Sequence, residues 1–147
     1  MSIYDWKDEY SIGIPFIDGQ HKKIIDLIEE LIESIRDSRD DYIIGDVLND
    51  LTEYSKSHFG VEERLLKKYD YFEEPEHEAR HREFAERVNE LKSVHGAHYR
   101  DIPKETLNLL KSWFFEHELT MDASYIAFFR GKGLDNQIQR ELAEGKI

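Results

Sequence analysis

Cysteine is absent from the 147 residues. Disulfides, iron–sulfur clusters, thiolate zinc sites and cysteine nucleophiles are therefore excluded, and any metal must be held by nitrogen and oxygen. Basic residues are scarce: 20 Lys and Arg stand against 32 Asp and Glu, for a net charge of -12 at pH 7. That balance argues against nucleic acid and against anionic membrane surfaces, which favour basic patches. No stretch approaches the ~20 apolar residues of a membrane span. Met1 to Phe16 lacks the basic start and apolar run of a secretory signal, so a cytoplasmic location is expected. Repeats, low-complexity tracts and domain linkers are missing too. The length suits one domain, residues 1–147, with a single core.

What is present is helical periodicity. Residues 1–17 read as an ordered arm, because Trp6, Tyr10, Ile14 and Phe16 are too apolar for a free tail and Gly13 and Pro15 interrupt any helix. A first helix is expected from Asp18, a good N-cap, with Ile24, Ile25, Ile28, Leu31, Ile32 and Ile35 at the spacing of one buried face. A second runs from about Asp41 to Tyr69 along Ile44, Val47, Leu48, Leu51, Tyr54, Leu65 and Tyr69. Pro75 suits the first turn of a third, with Phe84, Val88 and Leu91 inside and Gly96 ending it. Asp101 and Pro103 open a fourth, carrying Leu107, Leu110, Trp113 and Phe114 to the stop at Gly131–Gly133. Residues 134–147 form a tail or short polar helix. Four amphipathic helices over 18–133 with short links give an all-α, antiparallel up-down-up-down four-helix bundle.

Each helix carries histidine on its apolar stripe: His21 on the first, His58 with Glu62 on the second, His77 with His81 on the third, His117 on the fourth. An unpaired imidazole is costly to bury there. The i, i+4 pairs His58/Glu62 and His77/His81 each lie on one helix face. Asp122 fits less well, since five residues at ~100° each set it about 140° round from His117. Five imidazoles and two carboxylates are too many for one ion but suit two ions bridged by the carboxylates, and a thiolate-free set suits iron, manganese or zinc. His95 and His98 fall outside the pattern and read as surface residues; Trp113 reads as packing over the site.

Two other motifs compete. His77-Glu78-Ala79-Arg80-His81 matches the zinc-protease pattern, with Glu78 as a general base beside a zinc-bound water. That reading leaves His21, His58 and Asp122 unexplained, and the chain shows no strand on which to dock a peptide. A ferritin-like ferroxidase needs Glu-x-x-His on two helices, whereas the matches from Glu74 and Glu78 share one.

The ordered set resembles the hemerythrins in their bacterial single-domain form. The matching motifs are Asp18-Gly19-Gln20-His21, His58-Phe59-Gly60-Val61-Glu62-Glu63, His77-x3-His81 and Trp113-x3-His117-x4-Asp122-x2-Tyr125, which together span nearly the whole chain. The resemblance implies reversible dioxygen binding at a non-haem di-iron centre, for storage, delivery or sensing rather than turnover. By position it implies that His77, His81 and His117 hold one iron and His21 and His58 the other. Glu62 and Asp122 would bridge them together with an oxo or hydroxo group. A sensing role would need a further protein partner. One position departs from the family: where an apolar residue usually follows the fourth-helix histidine, this chain has Glu118. Either Glu118 turns to solvent, or it enters the oxygen pocket, where burial would raise its pKa against the pull of the iron. The second orientation favours a di-iron peroxidase or oxidase acting on peroxide or dioxygen.

Overall fold

In the computed structural model the described residues are 5–37, 40–95 and 102–147, without the side chains of 40–42 and 95. Among them no strand occurs. Helix α1 spans Pro15–Arg36, α2 Asp40–Lys68 and α3 Glu74–His95. A fourth rod is built of three continuous pieces: α4 (Ile102–Ser112), a π-helical segment (Trp113–Asp122) and α5 (Ala123–Gly131). Both junctions keep helical dihedrals, at Ser112 and at Ala123, so the rod is unbroken. A last helix, α6 (Asp135–Ala143), folds back from its end.

The core has two parts, and the order in which each helix meets them fixes the topology. One cluster gathers Ile24, Ile28 and Leu31 with Leu48, Leu51, Phe84, Val88, Leu91, Leu110 and Phe114. The other gathers Ile14, Ile17, Leu65, Leu66, Tyr125, Ile126 and Phe129 with Ile138 and Leu142. Helix α1 runs from the second cluster to the first, α2 from the first to the second, and the fourth rod again from first to second. Helix α3 leads from His77 beside Tyr125 of the second cluster to Phe84 in the first. This alternation is the up-down-up-down bundle. The level between the clusters is where His21, Glu62, His77, His81, His117 and Asp122 lie, so α1, α2, α3 and the fourth rod each bring polar residues to one height.

Helix α1 begins earlier than its sequence suggests. Pro15 occupies the first turn, where its missing N–H costs nothing, and the backbone of Ile14 takes the N-cap position. Asp18 is therefore no cap. Its carboxylate turns back to the arm, where Oδ2 accepts from the Ser11 hydroxyl and Oδ1 from the Ile12 amide at 2.9 Å. Gly13 completes the latch at φ 92°, and a Cβ there would collide with the Arg130 guanidinium. The arm then lays Tyr10 edge-on to Phe114, with ring centroids 5.1 Å apart.

Helices α2 and α3 start and end within a residue of expectation where they are described; the expected stop at Gly96 and start at Asp101 lie outside the described residues. Gly133, at φ 71°, lets α5 close: its amide bonds the Arg130 carbonyl and the Leu134 amide bonds that of Phe129. The tail is amphipathic rather than simply polar, since Ile138 and Leu142 of α6 are buried in the second cluster. Glu141 pins α6 to α2, accepting from Lys68 Nζ at 2.8 Å and from the Tyr69 hydroxyl at 2.7 Å. No described helix is long and apolar enough to cross a membrane.

Candidate metal centre

Between the two core clusters, seven side chains converge in two groups. His77, His81 and His117 form one; His21, His58, Glu62 and Asp122 form the other. Within each group one nitrogen or carboxylate oxygen per residue lies within 4.8 Å of all the others. All seven are buried, the most exposed being His117 at 4%.

The fourth rod explains how Asp122 joins. In a 3.6-residue helix Asp122 would point well away from His117. A π-helix bonds i to i+5, so residues five apart come onto one side. Segment Trp113–Asp122 is wound this way, and Asp122 Oδ1 stands 3.2 Å from His117 Nε2.

Each carboxylate faces both groups. Asp122 Oδ2 lies 3.0 Å from His21 Nε2, while its Oδ1 lies 2.9 Å from His77 Nε2. Glu62 Oε1 pairs with His58 Nε2, and its Oε2 is 3.6 Å from His77 Nε2. Charge couples the set. Burial lowers the His21 pKa, but Glu118, Asp122 and Glu62 outweigh it and raise it to about 10. His77 is likewise raised to about 10, against burial, by Asp122 and Glu62. Burial pushes Asp122 up, yet His117, His21 and His77 hold it well below the usual carboxylate range.

The donors fit metal better than they fit one another. The Nε2 atoms of His58, His77, His81 and His117, both Glu62 oxygens and Asp122 Oδ1 are buried and, although several lie at ion-pair distance from one another, none makes an aligned hydrogen bond. Buried polar atoms are normally satisfied, so seven orphans in one place need an explanation. Two ligands each about 2.1 Å from one ion and at right angles stand about 3 Å apart. The Asp122 separations from His21, His77 and His117 have that size. Nitrogen and oxygen without sulfur suit iron, manganese or zinc.

The rings are held from behind. His58 Nδ1 meets Gln20 Oε1, and His81 Nδ1 meets Glu63 Oε1 at 3.2 Å. Such partners fix the tautomer and leave Nε2 free to ligate. Trp113 stacks on His117 at 3.8 Å between centroids, as expected of a residue packing over the site. Phe59 stacks on His81 at 3.9 Å, and Tyr54 on His58 at 4.8 Å. Gln20, Tyr54, Phe59 and Glu63 are the residues that sequence reasoning gives no role at the site. Gln20, Phe59 and Glu63 lie inside the motifs quoted above, each one residue from a donor, and Tyr54 lies one turn before His58.

Glu118 is fully buried, so it does not turn to solvent. Its Oε1 accepts from the Tyr54 hydroxyl at 2.6 Å, and its Oε2 has no partner. Burial raises its pKa to about 8, opposed by His21 and the Tyr54 bond. Glu78, the base required by the zinc-protease reading, instead pairs on the surface with Lys67 at 3.4 Å and Arg82 at 3.5 Å. One residue past His77 on an α-helix, it is turned about 100° away from the histidines. The expected surface positions of His95 and His98 concern side chains outside the described residues.

Comparison with known proteins agrees with this architecture. The family model described as the hemerythrin HHE cation binding domain matches residues 12–129. A bacteriohemerythrin of Pseudomonas paraeruginosa is 33% identical over 126 residues, covering 86% of this chain and 81% of its own. One from Stenotrophomonas maltophilia is 32% identical over 145 residues, covering 99% and 92%. A myohemerythrin of Riftia pachyptila is 25% identical over 124 residues, covering 84% and 92%.

Proposed function

The chain belongs to the hemerythrin family, and from that premise we propose that it binds dioxygen reversibly at a non-haem di-iron centre, for storage, delivery or sensing. His77, His81 and His117 would hold one iron. His21 and His58 would hold the other, and Glu62 and Asp122, which face both groups, would be shared between the two, with a solvent-derived oxo or hydroxo group expected alongside them. The observation that carries the reading is the pair of buried donor groups with two carboxylates facing both. Two irons held there would supply the electrons that dioxygen accepts on binding.

The chain's own residues set the conditions. If both carboxylates are shared, the His77 group would offer five protein donors and the His21 group four, so the His21–His58 side would be the one with room for dioxygen, as the family resemblance implies. Gln20 and Glu63 orient His58 and His81. Tyr54, Phe59 and Trp113 stack on the rings of His58, His81 and His117 and hold them in place. Nitrogen-rich ligation favours mild, reversible chemistry, because few carboxylates stabilise high-valent iron poorly.

The test is to load the protein with iron, reduce it without air, and admit oxygen while recording the visible spectrum. A new band that disappears under vacuum is the expected result. Immediate oxidation to a stable ferric form with no reversible band would replace carriage by redox turnover of dioxygen or peroxide.

A further inference from the structure

Glu118 is a buried carboxylate that the seven-donor set leaves unused. It lies on the His21–His58 side. Its partner Tyr54 stacks on His58, and the His58 and His21 rings are 5.6 Å apart between centroids. It sits four residues before Asp122 in the π-helical segment. One oxygen is tied to Tyr54 and the other is bare. Buried polar atoms are normally satisfied, so the bare Oε2 needs a partner. Tyr54 anchors the carboxylate beside His58 and His21, so a metal held by those two rings would supply that partner.

Resting on the di-iron reading above, we propose that Glu118 is a further metal-binding residue whose free Oε2 closes the open position at the iron held by His21 and His58. An incoming diatomic ligand displaces it. Glu118 stands outside the tight four-donor group, which suits a ligand that comes and goes rather than a resident one. Tyr54 holds Oε1 throughout and keeps the displaced carboxylate beside the pocket. No bond other than the coordinate one is made or broken, and no electron moves.

The experiment uses the full iron-loaded chain and the variants Glu118→Gln, Glu118→Leu and Tyr54→Phe, each with its metal counted. Nitric oxide is titrated into the reduced proteins and azide into the oxidised ones. Glu118→Gln keeps the volume but is a poor ligand. If the carboxylate closes the position about nine-tenths of the time, its loss tightens nitric oxide binding about tenfold. Tyr54→Phe leaves the ligand in place and is expected to bind no tighter than wild type. Nitric oxide affinity unchanged within about twofold in both Glu118 variants, each with two irons, overturns the proposal. So does a gain for azide alone, which would mean that Glu118 repels anions without ligating. Should Glu118→Gln fail to fold, Glu118→Leu and Tyr54→Phe make the same comparison. A wild-type chain holding fewer than two irons refutes the di-iron reading itself, a result distinct from either.

Discussion

Replacing Asp18 by alanine removes two acceptors at once. The Ser11 hydroxyl and the Ile12 amide, both bonded to this carboxylate, lose their partner, and the residue is only 8% exposed. Hydrogen bonds to a charged group contribute about 1.5–3 kcal/mol each. A carboxylate in the first turn of a helix adds about 0.3–1 kcal/mol through the dipole. The two bonds share one group and are not additive, so a loss of about 3 kcal/mol is expected. A simple N-cap at the same position would lose about 1 kcal/mol, so the two roles are separable. Asp18→Asn keeps one acceptor for the Ile12 amide and should recover about half of the loss. Urea unfolding of the three proteins measures the difference, and amide exchange at Ile12 reports the latch directly. A loss of about 1 kcal/mol or less, with Ile12 exchange unchanged, would refute the latch and restore the cap.

Two further expectations follow from the same geometry. Gln20→Leu removes the group that fixes His58 and should weaken the hold on one metal of the pair by about 10–100-fold, read by competition with a chelator; equal release of both ions would contradict it. Glu141 is held at about 2 by Lys68, Tyr69 and Gln137, against an ordinary value of 4.5. A depressed carboxylate stabilises fully above its ordinary value and loses that contribution as pH falls toward the folded one. The urea stability gap between wild type and Glu141→Gln should therefore be constant near neutrality and close in acid; a gap that widens in acid would remove Glu141 as the pin of α6.

The bundle is legible in the sequence because apolar positions three and four residues apart mark a buried helical face, and a row such as Ile24, Ile28 and Leu31 has no other reading. The histidines stand out for the converse reason, as polar residues on those faces. Asp122 is misaligned in any α-helical projection, because a helical wheel has no way to represent a switch to i→i+5 bonding inside a continuous rod. Asp18 looks like a cap in the sequence since the arm that claims its carboxylate is held by tertiary contact. Tyr54 reads as plain core, and only the fold shows its hydroxyl meeting Glu118, 64 residues away in sequence.

The most direct test of the di-iron centre is the metal content of the purified, iron-loaded protein beside that of His58→Ala. Two irons per wild-type chain and the loss of at least one in the variant are expected. A variant that keeps two irons and an unchanged spectrum would contradict it.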